Sequence, residues 1–578
     1  MLEKLNPLRV YSERPLRLPR LRPFVPRPTD PPVYYFNAER DDIVRDVIAR
    51  VVDQHAADRP RLELALNDAA YHEIRRLSRQ GDIEAKEHLG FFKGLARRLA
   101  RMSEADKREA LRHIVTRYAE DVAGNFDPRV YDLSRHVMPR LITGVMRPSR
   151  LPVELLPSSP GSTRAVDELL RIEGAVEKLR RLEKTGTLVY VPTHSSNLDS
   201  IVLGHALEQA GLSPAIYGAG KNLFTNPIIS FFMHNLGAYR VDRRIAARVY
   251  KDVLKTYSQV MLERGYHSLF FPGGTRSRSN LLEHRLKLGL AGSAVQAFSH
   301  NRVRGVDRNL YFVPVTINYE LVLEGETLIE DWLKSEGKAR YIIEDDEFSR
   351  LDRWVAFFRK IVGLAGACVI RFGDPVDPFG NPVDDEGCSL APGGRPIDVG
   401  SYVKRQGQAV EDAQRDAAYT RDLGEVLVRR YREETVLMAT SLVAHVLYRR
   451  LVRETMGFDL FHRLRHRGEV SLARERLHAE VGALRDRLRG LEDAGKVRVN
   501  HDIRERSPAD IVDRALTVWN GYHRRTAARD EGSDVTAEDP TLLLYYQNRL
   551  VPFAERVAGQ EDLAAAREIA ALEIRGAT

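Results

Sequence analysis

The chain predicts an α/β fold: a mixed, largely parallel sheet with flanking helices, carried between helical N- and C-terminal domains. Three observations predict it. Short β-branched or aromatic runs alternate with helical stretches between Thr163 and Pro378. On either side of that region the apolar residues recur at three- and four-residue spacing instead. The length, 578 residues, also exceeds the roughly 250–300 that one core supports.

Taken in order, residues 1–32 form a Pro/Arg-rich arm, with eight prolines and seven Lys/Arg against three Asp/Glu. The prolines exclude a continuous helix, and with it a signal or transit peptide. An extended arm packed along its own protein is expected. The other reading is an anchor on anionic lipid, with Leu16, Leu18, Leu21 and Phe24 dipping inward. Residues 33–150 form a helical domain, with faces such as Ile43, Val47, Ile48 and Val51, or Leu111, Ile114, Val115 and Tyr118. Turn-forming residues then break the pattern at 147–152 and 157–162.

The α/β domain spans 163–378, with strands at Thr187–Val191, Ser268–Phe271, Tyr311–Asn318 and Ala367–Phe372. In such a sheet, reacting groups gather beyond the carboxyl ends of the strands. A loop rich in Pro, Gly and Asp runs from Asp377 to Gly400. Residues 401–578 return to helical spacing, including the seam Leu477, Val481, Leu484, Leu488 and Leu491, which is too short for a free coiled coil.

The composition, 43% hydrophobic and 29% charged, is that of an ordinary globular chain. A net charge of +8 favours anionic partners. No zinc-finger spacing or RNA-binding signature points to nucleic acid. Two cysteines, Cys368 and Cys388, make neither a disulfide framework nor a metal knuckle, which fits a reducing cytosol. No apolar run reaches the ~18 residues of a spanning helix, so any membrane contact is expected to be peripheral.

The chemistry concentrates in the run from Val191 to Ser200. His194 follows an apolar strand, and Asp199 lies five residues on. Imidazole can accept a proton from a hydroxyl near neutral pH. A carboxylate on its other nitrogen fixes the tautomer and stabilises the imidazolium. No serine or cysteine nucleophile sits in a suitable motif; Gly-x-Ser-x-Gly is absent. The pair therefore suits activation of a hydroxyl on the substrate. Gly218-Ala-Gly-Lys221 lacks the leading glycine and the Ser/Thr of a phosphate loop, and His72-Glu73 lacks the second histidine of a zincin.

Three further segments follow: Gly237–Arg244, studded with arginines; Phe271-Pro-Gly-Gly-Thr-Arg-Ser-Arg278; and Val313–Tyr319. Four segments in this order resemble the blocks of the glycerolipid acyltransferases, over roughly Leu188 to Pro375. Gly218–Leu223 is similar to an Ala-Gly-x-Asn-Leu segment of that family, and Lys287-Leu-Gly289 to a Lys-x-Gly of its large glycerol-3-phosphate acyltransferases. Leu66–Glu73 and Leu544–Asn548 are similar to flanking regions of the large bacterial and organellar branch.

The resemblance implies His194 as general base and Asp199 as its orienting partner. It implies a substrate-binding set of Asn222, Arg240, Arg243, Gly274, Thr275, Arg276, Ser277 and Lys287, with no metal and no cofactor. Glycines permit close backbone approach to a phosphate, and Arg276 offers a planar fork to its oxygens. The implied reaction moves a fatty acyl group from acyl-CoA or acyl carrier protein to the sn-1 hydroxyl of glycerol 3-phosphate, giving lysophosphatidate for phospholipid synthesis. It would take place peripherally, on the cytoplasmic face of an anionic cell membrane, without nucleic acid.

Three departures bear on the acceptor. Ser195 stands where the glycerol-3-phosphate enzymes of the family usually have Arg or Lys after the histidine. Gly273 stands where its third block has glutamate, with Glu263 and Glu283 as candidates to substitute. Asp242-Arg243 replaces an Arg-Arg pair. Lysophosphatidate or dihydroxyacetone phosphate therefore remain alternative acceptors, and a non-catalytic lipid- or carrier-binding scaffold remains the alternative of another class.

Overall fold

The computed structural model describes residues 24–80, 83–135, 169–221, 224, 227–336 and 366–575. Most of the arm, with Leu16, Leu18 and Leu21, lies outside the described residues, as does Asn222.

Seven strands form the central sheet: β1 (Leu170–Gly174), β2 (Gly186–Pro192), β3 (Ile216–Gly220), β4 (Ala238–Val241), β5 (Ser268–Leu269), β6 (Asn309–Tyr319) and β7 (Cys368–Phe372). Their spatial order is β1-β7-β6-β2-β5-β3-β4. The run β6-β2-β5-β3-β4 is parallel throughout. β7 is antiparallel to β6, and β1 parallel to β7, so these two strands run against the rest.

The reason lies in the side chains. β2 is buried at all seven positions and β6 at nine in a row. Near-continuous Val, Leu, Tyr and Phe is what a strand covered on both faces requires. Helices Asp199–Gln209, Arg248–Glu263 and Gly289–Val303 lie in the connections and supply that cover.

The N-terminal helices Phe36–His55, Arg59–Leu77, Ile83–Arg98 and Glu104–Val122 do not close on a core of their own. Their apolar faces share one cluster with Ile216 of β3, Tyr239 of β4 and Val249, Tyr250, Val253 and Tyr257 of the helix between β4 and β5. They therefore cover the β4 edge of the sheet, where unpaired backbone would otherwise be exposed.

The C-terminal residues wrap the opposite end. Helix Ala439–Glu454 is buried on nearly every side, as a helix apolar all round must be. The apolar run Ser441–Tyr448 is thus a core helix. The seam residues Leu477, Val481, Leu484 and Leu488 are buried in the same cluster. This part is not purely helical: Ser471–Ala473, Asp534–Ala537 and Ala528–Asp530 form a three-stranded antiparallel sheet. Strands of three and four residues carry too little alternation to show in a sequence.

Beyond β6 the two parts are joined by a buried ion pair. Glu320 is fully buried, and Arg514 donates to it at 3.0 Å. Thr440 donates its hydroxyl to the Glu320 carbonyl at 2.9 Å. Removing one member of such a pair strands the other charge away from water. Arg514→Ala is expected to cost about 3–5 kcal/mol, read as a lower denaturation midpoint. Adding Glu320→Gln should restore part of that loss.

Candidate functional site

Four strand ends converge on one place. β2 runs out into Thr193-His194, β4 into Asp242-Arg243, β5 into the Phe271–Arg276 turn, and β6 ends at Tyr319. All four belong to the parallel run, so the residues following them share one edge of the sheet.

His194 donates from or accepts at Nδ1 toward Asp199 Oδ2 at 2.8 Å. The same oxygen accepts the backbone amides of Ser195 and Ser196 at 2.7 and 2.9 Å. The other oxygen accepts the Tyr319 hydroxyl at 2.7 Å. Asp199 is fully buried and opens the helix Asp199–Gln209, where a carboxylate suits the helix dipole. An acceptor-only carboxylate with these partners selects Nδ1–H on the imidazole. Nε2 has no hydrogen bond among the described residues, and 14% of the His194 side chain stays exposed. The ring stacks on Phe271, centroids 4.1 Å apart.

The turn after β5 is tied to this histidine. Ser277 donates its amide to the His194 carbonyl at 2.7 Å and its hydroxyl to the Leu281 carbonyl at 2.9 Å, so both its donors serve the loop. Gly274 has φ +74°, and a Cβ there would lie 2.5 Å from Lys287 Cδ. The positive φ favours glycine, and the bare Cα leaves room for the Lys287 side chain to lie over the turn. Thr275 is exposed on the same turn.

Around it stand the cations. Arg276 pairs with the fully buried Glu324 at 3.3 Å. Glu324 also accepts the Ser196 hydroxyl at 2.7 Å and the Asn197 amide at 3.0 Å, which joins the first and third blocks. Partial burial, with the Arg276 guanidinium second, pushes Arg243 below its ordinary value. Two guanidiniums within electrostatic reach of each other favour an anion between them. Neither Arg243 nor Lys287 makes an ion pair among the described residues.

Arg244 neutralises the buried Asp242, donating to its two oxygens at 2.9 and 2.8 Å. Asp242 is 2% exposed, so this departure leaves its carboxylate satisfied rather than open to substrate. Arg240, expected in the binding set, faces Asp121 at 3.8 Å and lies 5.2 Å over Phe224. Lys221 faces the same Asp121. The structure thus brings together His194, Asp199, Arg243, Gly274, Arg276 and Lys287, and engages Arg240 in a second cluster.

Of the two candidate acids, Glu263 is bound up with Arg50 and His300, away from the third block. Glu283 does sit there: its Oε1 accepts the His194 amide at 2.8 Å, and its Cγ would lie 3.3 Å from a Cβ at 273. Gly273 leaves the room that the Glu283 side chain fills. The contacts of Tyr319, Glu324 and Phe271 with this turn are not legible in the sequence, because their partners lie far along the chain.

Burial pushes the Glu283 carboxyl above its ordinary range, against the opposing pull of Arg549 and the His194 amide. The folded chain therefore holds this proton more tightly than the unfolded one. The stability it contributes is present at low pH and is lost as pH rises from the ordinary carboxylate range through the raised folded value. Against Glu283→Gln, which does not titrate, wild type should lose stability across that window and differ by a constant amount above it. Denaturant midpoints measured at a series of pH values read this directly. A relative gain by wild type with rising pH would contradict the assigned environment.

Residues 174–318 match the acyltransferase family. The chain is 29% identical over 209 residues to a glycerol-3-phosphate acyltransferase of Pseudomonas paraeruginosa, covering 36% of this chain and 22% of that protein. It is 32% identical over 209 residues to one from Aeromonas hydrophila, covering 36% and 24%. With one from Haemophilus influenzae it is 30% identical over 230 residues, covering 38% and 26%. The match thus spans about a quarter of the length of these relatives.

Proposed function

We propose that this chain, whose residues 174–318 match the acyltransferase family, transfers a fatty acyl group from acyl-CoA or acyl carrier protein to the sn-1 hydroxyl of glycerol 3-phosphate. The observation that carries the reading is the His194–Asp199 bond, with Nε2 unbonded among the described residues and with Arg243, Arg276 and Lys287 on the neighbouring strand ends.

His194 Nε2 takes the proton of the acceptor hydroxyl as that oxygen bonds to the thioester carbonyl carbon. The carbonyl π pair moves onto its oxygen. When that pair returns, the carbon–sulfur bond breaks, and the thiolate leaves with the proton from the imidazolium. Asp199 keeps the ring oriented and offsets the transient positive charge. No residue is acylated, so both substrates are bound together. Arg243, Lys287 and the exposed part of Arg276 hold the acceptor phosphate, fixing the hydroxyl beside the base.

The product is amphiphilic, and the net charge of +8 suits an anionic surface. No helix among the described residues is long and apolar enough to cross a membrane. These points support residence at the cytoplasmic face of the cell membrane as a peripheral protein. The similarity to glycerol-3-phosphate acyltransferases favours glycerol 3-phosphate over lysophosphatidate and dihydroxyacetone phosphate.

Purified protein incubated with palmitoyl-CoA or palmitoyl carrier protein, and each of the three acceptors, tests this. Thiol release and acylated product should appear with glycerol 3-phosphate. His194→Gln should lower the rate by about 10²–10⁴-fold. Arg243→Ala should raise the KM for the acceptor by roughly 10–100-fold, the worth of a hydrogen bond to a charged group. Equal transfer by wild type and His194→Gln would overturn the mechanism.

A further inference from the structure

Arg549 reaches this site from the far end of the chain. It lies in the 3-10 segment Asn548–Phe553 and is 8% exposed. Its Nη2 donates to Ser195 Oγ at 2.6 Å, across 354 residues. Ser195 is the residue following His194, at 1% exposure.

Its surroundings are built to hold it. Asn548 donates to the Ser279 carbonyl at 2.8 Å, and Asn280 donates to the Tyr545 carbonyl at 3.1 Å. These reciprocal bonds fasten the C-terminal segment to the loop after the Phe271–Arg276 turn. Tyr545 lies within the electrostatic reach of Arg549, Glu324, Arg276 and Asp199, and its hydroxyl is buried with no hydrogen-bond partner among the described residues.

A guanidinium carries five N–H donors and no acceptor. Arg549 gives one to a neutral hydroxyl and makes no ion pair among the described residues. Glu283, the acid it influences, does not come within ion-pair distance of it. A cation held out of water without a counter-ion is costly, and an arriving anion removes that cost. Ser195, the residue after the histidine, is neutral, and the positive charge beside it is supplied by the C-terminal segment.

We propose that Arg549 is an acceptor-binding residue, whose guanidinium grips the phosphate monoester of the acceptor beside His194 and so makes the C-terminal segment part of the substrate site. This rests on the acyl-transfer reading above and adds to it a residue outside the acyltransferase domain. It also explains why that domain alone would be an incomplete enzyme: a cation of its site comes from beyond residue 318.

Steady-state kinetics with glycerol 3-phosphate and palmitoyl-CoA on the full chain test the proposal. Arg549→Met should raise the acceptor KM by about 10–100-fold, in keeping with a lost charge-assisted bond. The acyl-donor KM, and kcat at saturating acceptor, should stay near wild type. Placing Ser195→Lys on top of Arg549→Met should recover much of the acceptor KM, which a merely structural arginine would not allow. An unchanged acceptor KM, or an equal fall in turnover with no change in acceptor KM, overturns the proposal. Should Arg549→Met fail to fold, Arg549→Lys decides in the same way, by a raised acceptor KM with an unchanged donor KM.

If wild type turns over no glycerol 3-phosphate, the acyl-transfer reading fails by itself. Calorimetric titration with glycerol 3-phosphate then judges Arg549 separately. Binding by wild type that is lost in the Arg549 variant supports the residue's role. Equal binding by both proteins, or none by wild type, overturns it.

Discussion

The Asp199 carboxylate is fully buried, and it accepts the His194 ring, two consecutive backbone amides and the Tyr319 hydroxyl. Asp199 itself opens the following helix, the ring and both amides come from the turn after β2, and the hydroxyl comes from the end of β6. A carboxylate buried this deeply is tolerable only because its lone pairs are taken up. In turn it fixes the histidine ring and the tightness of the 193–199 turn. The remaining site residues are placed relative to that ring, through Ser277 on the His194 carbonyl and Glu283 on its amide.

A second theme is the separation of charges into those that hold the loops and those left for a ligand. Glu324 steadies Arg276 while bonding Ser196 and Asn197. Arg244 takes up Asp242, and Asp121 faces Lys221 and Arg240. Arg243 and Lys287 are left without carboxylate partners among the described residues. The buried acids therefore act as anchors for the cation cluster instead of cancelling it. This is the arrangement expected of a site that must stay rigid and positive while it waits for an anion.

Much of this was legible in the chain. The runs at 187–191, 268–271, 311–318 and 367–372 are strands or abut them, because consecutive β-branched and aromatic residues have few other uses. His194 and Asp199 were legible as a pair because their spacing spans one short turn. β1 carries no clear strand signal: Leu170-Arg-Ile-Glu-Gly174 mixes charge into a short strand at the edge of the sheet. β3 was hidden in a glycine-rich stretch that reads as a loop. Arg240 looked equivalent to Arg243 in sequence, and only the position of Asp121 on the Glu104–Val122 helix separates them. Arg549 and Glu324 gave no local signal at all, since their roles depend on contacts 354 and 128 residues away.

The claim on which the rest depends concerns a single proton on His194. Nitrogen-15 NMR of histidine-labelled protein, with the signal assigned by difference against His194→Gln, reads which ring nitrogen carries it. The account predicts neutral His194 protonated at Nδ1, facing Asp199, with Nε2 bearing the free lone pair, and loss of that preference in Asp199→Asn. A neutral ring protonated at Nε2 in the wild-type protein would contradict it.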